Sequence, residues 1–434
     1  MSPLVIGVIG IVALFVLILA QVPIAFAMII VGVVGFAVEG SWATAVTYLA
    51  TEPTRVLSSP DMVTLPLFLM MGAFANAAGF SEDIYAVAAA FLGHRRGGLA
   101  YATIGGSAVF GSVCGSTTAT AATFGRLALP QMLQRGYAPA FATGTIAAGG
   151  TLKSLIPPSL LMILYCVVAK AFIFDLFIAA IIPALLTVAL NLVAIAIVVR
   201  LDPTQAPVSV RLPWRDRLVA ARRAVPALML ILTVFGGLYS GIFTVNEAAS
   251  VAAVLALVFA VFRRGLRWAE FLEALRSAAG TTVMLYMILI GASVFTYFVT
   301  LAHVPETLIQ FVDAMRMPPL AIAVALVVAY IVLGTIFEEL SAILITLPFV
   351  LPIVVGAGYD PTWWGIMNVI LAELALIHPP FGIIVFVLHD LAPDIRMGTI
   401  YRGVIPFIVA DFVVLVLLTA FPSLALWLPR LVNG

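Results

Sequence analysis

The sequence predicts an all-α polytopic membrane protein made of two related halves, and three observations carry that prediction. Hydrophobic residues form 64% of the 434 and charged residues only 9%, with a mean hydropathy of +1.21. Charge-free runs such as 176–199 and 224–246 exceed the ~20 apolar residues that a helix needs to cross a hydrocarbon core. Landmarks also recur: Pro130, Gly136-Tyr137, Pro139 and Pro157-Pro158 return as Pro352, Gly358-Tyr359, Pro361 and Pro379-Pro380, each 222 positions on (352 less 130).

Taken along the chain, hydropathy suggests roughly ten to twelve apolar segments. The apolar first 20 residues carry no Lys or Arg at their start, which argues against a cleaved leader. The first half is expected over 1–200 and the second over 223–434. Between them, 201–222 holds the longest polar, proline-bearing stretch and reads as a linker. Ile182-Pro183 matches Ile405-Pro406 one residue beyond the common offset, as a single insertion would give. Arginines cluster at 200–223 and 263–276, so both clusters, and the linker with them, should face the cytosol. An odd number of crossings per half would make the repeats inverted in topology and put both termini on the periplasmic side.

The small breaks in the apolar pattern are the chemical signal. Gly105-Gly106-Ser107, Gly111-Ser112, Gly115-Ser116-Thr117-Thr118 and Thr120 precede Gly149-Gly150-Thr151 and Pro157-Pro158-Ser159; in the second half Gly334-Thr335, Glu338-Glu339 and Ser341 precede Pro379-Pro380-Phe381-Gly382. In lipid, freed backbone groups survive only inside protein or beside a water-filled cavity. A broken helix offers carbonyls to a cation at one end and N–H groups to a carboxylate at the other, which is how repeat-built transporters form their sites. Close packing of small residues would explain any one of these glycines or serines, but not two corresponding clusters, each followed by Pro-Pro. Composition offers no enzyme site: there is no His-Glu-x-x-His, and the four histidines are scattered. Cys114 and Cys166 form no metal spacing and read as small packing residues. No nucleic-acid partner is expected.

The stretches 111–125 (GSVCGSTTATAATFG), 135–144 (RGYAPAFATG), 150–159 (GTLKSLIPPS), 241–249 (GIFTVNEAA), 347–366 (LPFVLPIVVGAGYDPTWWGI) and 378–382 (HPPFG) together resemble the large membrane subunit of tripartite ATP-independent periplasmic (TRAP) transporters, over essentially the whole chain. The resemblance implies an elevator-type secondary transporter with scaffold and transport domains and two re-entrant helical hairpins, here at about 100–130 and 320–352. It implies import of an organic anion on a Na⁺ gradient, with Na⁺ the coupling ion and no other cofactor. Its partners would be a small four-helix membrane subunit on a separate chain and a periplasmic binding protein, at a bacterial inner membrane. A stand-alone Na⁺- or H⁺-coupled symporter of the same architecture is the alternative. Carried onto this sequence, the ion-binding candidates are Ser112, Gly115, Ser116, Thr117, Gly334, Thr335, Glu338 and the carbonyls near Pro379.

Departures from the family's usual pattern add candidates. Lys153 stands where a glycine usually follows Gly-Thr-Leu, Arg126 where a small residue follows Gly125, His378 where a threonine precedes the second Pro-Pro, and Val245-Asn246 where Pro-Thr precedes Glu247. Ionisable groups in a membrane segment are costly and mark function by default. Lys153 is expected to pair with Glu373 or Glu338 or to contact the substrate carboxylate, although snorkelling from a helix end is the plainer reading. Thr151, Ser159, His378 and Glu373 complete the substrate set, Thr151 and Glu373 being related by the repeat offset. His378 could add pH sensitivity or donate to a freed carbonyl. Arg126 suits a surface or headgroup contact, and Trp363-Trp364 suit an interfacial anchor. His94-Arg95-Arg96 read as a loop topology signal, and Asp175 and Asp411 as groups near the ends of long segments.

Overall fold

A computed structural model describes residues 2–433 except 115, 209, 336 and 338. Among these the chain is helical throughout, with no strand. The first half runs α1 (Pro3–Leu19), α2 (Ile24–Glu39), α3 (Trp42–Leu57), α4 (Thr64–Ala77), α5 (Phe80–Leu92), α6 (Gly98–Gly111), α7 (Thr117–Gln134), α8 (Pro139–Thr151), α9 (Leu160–Ala169) and α10 (Ile173–Leu201). The second runs α11 (Trp214–Tyr239), α12 (Val245–Arg264), α13 (Trp268–Leu301), α14 (Val304–Ala314), α15 (Pro319–Gly334), α16 (Glu339–Gly356), α17 (Pro361–Ile377), α18 (Ile383–Leu391), α19 (Met397–Ala420) and α20 (Ser423–Asn433). Between α10 and α11 the chain makes a 3-10 turn at Pro203–Gln205, and α11 takes up the chain from Trp214.

Helix boundaries follow the sequence landmarks. α7 and α16 start at 117 and 339 and end at 134 and 356, and α8 and α17 start at 139 and 361. Local chemistry fixes several ends. Ser116 caps α7 by accepting the Ala119 N–H at 3.3 Å, and Asp360 caps α17 by accepting the Thr362 N–H at 2.7 Å. Thr244 and Glu247 form a reciprocal capping box at the start of α12, which ends at Gly265 with φ +62°. Both Pro-Pro peptide bonds, Pro157-Pro158 and Pro379-Pro380, are cis.

Among the described residues, six helices are long and apolar enough to cross a membrane, or seven if α3 and α4, bent by 61°, form one span. Six further apolar helices have only 10–17 residues. The ten to twelve apolar segments expected from hydropathy are therefore mostly present, but Pro and Gly breaks cut many below a full crossing, which takes about 30 Å at ~1.5 Å per residue. The first-half bend has no counterpart in α13, which is continuous over 34 residues. Asn246 secures that bend: its amide donates to Pro60 O at 3.1 Å and its carbonyl accepts from the Thr64 hydroxyl.

The halves interlock. α2 packs on α13 and α4 on α12, while α8 packs on α19, α7 on α18 and α9 on α16. α8 and α19 approach backbone to backbone: a Cβ on Gly144 would lie 2.0 Å from Gly403 O, and one on Gly403 would lie 1.8 Å from Ala140 O. Such close approach between apolar helices replaces the hydrophobic drive that lipid removes.

α5 lies along the face that carries the arginine clusters. Its N-terminal turn meets the end of α12 through Asp83–Arg263 at 2.5 Å and Glu82–Arg264 at 3.7 Å. At its other end the Arg217 guanidinium stacks over the Phe91 and Trp214 rings. The loop that follows places His94 Nδ1 3.5 Å from Arg217. Partial burial, then the charges of Arg217, Arg211 and Arg95, lower the His94 pKa from the ordinary imidazole value.

Two expectations are corrected here. Trp363 and Trp364 are not interfacial anchors, because both are at most 1% exposed. The Trp363 indole donates to Leu418 O at 2.8 Å, and Trp364 meets the Tyr330 ring edge-on at 5.4 Å. Neighbouring helices enclose α17 on all sides, so these rings fill the core. Asp411 sits in the interior of α19, buried, and not near a helix end. Arg126 is exposed, as a surface role requires.

Candidate functional site

α6 and α7 form a helix–turn–helix, the described residues of its turn being 112–114 and 116, and α15 and α16 form a second one, with 335 and 337 described between them. Beside the first turn the chain leaves α8 in a 3-10 turn, Leu152–Ser154, instead of continuing the helix. Gly111 lets this turn come close: a Cβ there would sit 3.0 Å from both Cα and Cβ of Lys153. Thr117 and Ser154 hydroxyls meet across the junction at 3.1 Å.

This junction forms the inner end of a cavity of about 770 Å³. One wall comes from the first turn and α7 (Cys114, Ser116, Thr117, Thr118, Thr123), the 3-10 turn (Lys153, Ser154), and Glu339 at the start of α16. α4 and α13 supply the opposite wall with Asn76, Glu270, Glu273, Ser277 and Thr281, and Arg264 stands beside them. Leu160 and Leu164 of α9, Leu376 of α17 and Ile383 of α18 add apolar surface. Lys153 is only 3% exposed, and Glu339 lines the same cavity. A buried ammonium needs such company, since removing an unpaired charge from water costs several kcal/mol.

Glu373 approaches from behind the wall. One carboxyl oxygen accepts the Leu155 N–H at 2.9 Å, so α17 holds the chain just after Lys153 and Ser154. The other oxygen is buried without a hydrogen-bond partner.

The candidates read from sequence thus fall into groups. Ser116, Thr117 and Lys153 line the cavity together. Gly115 and Glu338 lie outside the described residues. Ser112 is buried at the end of α6 and donates to Val109 O at 2.7 Å. Thr151 is buried too, its hydroxyl donating to Ala148 O at 2.9 Å. Ser159 Oγ is buried without a partner, as is His378 Nδ1. Gly334 closes α15 against Ala375, Thr335 donates to Val332 O at 2.7 Å, and Pro379 is exposed. None of these, nor Glu373, forms part of the cavity wall.

The reading of single residues missed Ser154 and the whole α4–α13 wall. A signal existed: Glu270, Glu273, Ser277 and Thr281 recur at helical spacing and put a polar stripe on one face of α13. Among the described residues no group of three or more His, Cys, Asp or Glu could hold a metal ion. The oxygens available at the junction are hydroxyls and backbone carbonyls, which are hard ligands suited to a hard monovalent cation.

Comparison with known proteins decides the family. The profile described as "Tripartite ATP-independent periplasmic transporter, DctM component" matches residues 11–424. This chain belongs to the TRAP transporter large permease family. It is 34% identical over 370 residues to a C4-dicarboxylate TRAP transporter large permease protein of Pseudomonas aeruginosa, covering 85% of this chain and 86% of that one. It is 30% identical over 420 residues to a sialic acid TRAP transporter large permease protein of Vibrio cholerae, covering 96% and 97%. An isethionate TRAP transporter permease protein of Oleidesulfovibrio alaskensis is 32% identical over 416 residues, which are 94% of this chain and 64% of that longer one. Among solved structures, the Alcanivorax borkumensis YdaH transporter shares the fold with a TM-score of 0.59 at 15% identity, over 90% of each chain. As a TRAP large permease, this chain is a multi-pass inner-membrane component of a secondary transport system, and the relatives named above are transport proteins.

Proposed function

We propose that this large permease is the translocating subunit of a Na⁺-coupled importer of organic anions, supplied by a periplasmic binding protein and assembled with a small four-helix membrane subunit. The observation that carries this reading is the cavity where the first helix–turn–helix, the Lys153 turn and the start of α16 face α4 and α13. Its inner end combines a cation, neutral hydroxyls and an acid, the mixture that an anion and a hard cation require together. The substrates named for the three relatives above, a C4-dicarboxylate, sialic acid and isethionate, are anions, and a carboxylate-type cargo suits Lys153.

In this reading the two helix–turn–helix units are re-entrant hairpins in a mobile transport domain, and the halves are repeats of inverted topology. Ser112, Gly115, Ser116 and Thr117 serve Na⁺ at the first hairpin; Gly334, Thr335, Glu338 and the carbonyls near Pro379 serve it at the second. Lys153, Thr151, Ser159, His378 and Glu373 form or support the anion site. The cavity reaches from Lys153 to Arg264 and Glu270, beside the arginines that mark the cytosolic side, which supports an inward-facing arrangement. Na⁺ binding orders the hairpin tips, the anion is received on the outer face, and the transport domain carries both inward.

Uptake into proteoliposomes holding this chain and its small membrane partner, with and without binding protein, tests the proposal. Uptake that needs both the protein and an inward Na⁺ gradient is expected. Uptake without the binding protein would replace it with a stand-alone symporter, and uptake driven only by a proton gradient would remove Na⁺ from the mechanism.

A further inference from the structure

Lys153 has a role that anion contact alone does not exhaust. It lines the cavity, itself buried, on the 3-10 turn where the Thr117 and Ser154 hydroxyls meet. Its backbone and stem press against Gly111, at the end of α6. Glu339 lines the same pocket, and Glu373 holds the turn from behind. Hydroxyl oxygens, the carbonyls of a helix end and nearby acids are the surroundings a monovalent cation seeks. An ammonium is such a cation, with three N–H donors for those oxygens.

We propose that the Lys153 ammonium is a tethered cation standing in for one coupling Na⁺ at the first hairpin. It offsets the acids and faces the anion as a bound Na⁺ would, and it travels with the site without being released. The inference rests on the proposed Na⁺ coupling and refines it: in the wild type the first-hairpin oxygens serve the ammonium in place of Na⁺, and the coupling Na⁺ is held at the second hairpin. A Na⁺ held ~4 Å from a fixed ammonium, at an effective dielectric constant of ~20, would bind roughly a thousandfold more weakly. The two cations therefore exclude one another, and the wild-type protein couples one Na⁺ fewer than the same site without the lysine.

The test counts bound Na⁺. Equilibrium binding of radioactive Na⁺ to the purified two-subunit membrane complex is measured for wild type, Lys153→Gln, Lys153→Met and Lys153→Arg, with thermal unfolding as a check of folding. Gln and Met are two independent neutral replacements, and either one that folds suffices. The expected result is one additional saturable Na⁺ per chain in the neutral variants and the wild-type number in Lys153→Arg, with the Na⁺-to-anion ratio from reversal potentials rising by one in any neutral variant that still transports. An equal, non-zero count in wild type and neutral variants overturns the tethered cation and leaves Na⁺ coupling intact. No Na⁺ bound by any of them overturns the coupling itself.

Discussion

Replacing Glu373 probes how the helix behind the cavity holds the turn in front of it. Its carboxyl is 1% exposed at the residue level and accepts the Leu155 N–H at 2.9 Å, two residues after Lys153. Glu373→Ala leaves that buried donor without a partner, a cost of about 1–3 kcal/mol. Loss of that bond should therefore destabilise the fold by about 1–3 kcal/mol. Glu373→Gln keeps an oxygen acceptor for Leu155, so it should recover most of that loss. Thermal unfolding of the detergent-purified complex, followed by intrinsic fluorescence, gives the ranking wild type, then Gln, then Ala. Equal melting of the Gln and Ala variants would show that the Leu155 bond contributes nothing, and two wild-type-like variants would refute the argument that α17 holds the turn.

Three further outcomes follow from the packing and the charges. Gly403→Ala should cost about 3 kcal/mol by forcing α8 and α19 apart, since the new Cβ would lie 1.8 Å from Ala140 O; a melting temperature equal to wild type would contradict so close a crossing. Asp83→Ala should cost about 1–3 kcal/mol by freeing Arg263, whose side chain is 25% exposed beside an Asp83 side chain at 9%. The exchange Asp83→Arg with Arg263→Asp should restore part of that loss, and a double variant no better than the single one would deny the pair. His94 has a folded-state pKa lowered by partial burial and then by Arg217, Arg211 and Arg95. The unfolded chain therefore takes up the proton first as pH falls, so this residue's contribution is present above the ordinary imidazole pKa and declines below it. His94→Gln should flatten the acid side of a melting-temperature profile between about pH 5 and 7, and a slope identical to wild type would rule the contribution out.

The sequence by itself determined the membrane class, the family and the places where helices break. Apolar composition and the 222-residue recurrence are local and periodic properties, and the helix starts at 117, 139 and 361 follow them because Ser, Asp and Pro fix helix ends through neighbouring backbone. Ser116, Thr117 and Lys153 were legible as candidates for the same reason, each standing at or beside a break, and they line one cavity. Tertiary structure alone decided the rest. α13 belongs to the other half of the chain, yet its polar stripe forms the wall opposite Lys153. Trp363 and Trp364 look like membrane-surface aromatics until α17 is seen to be enclosed. Glu373 lies 218 positions from the Leu155 N–H it accepts. Contacts of that separation depend on which helix faces meet, and a one-dimensional pattern of apolar residues cannot select among faces when nearly every face is apolar.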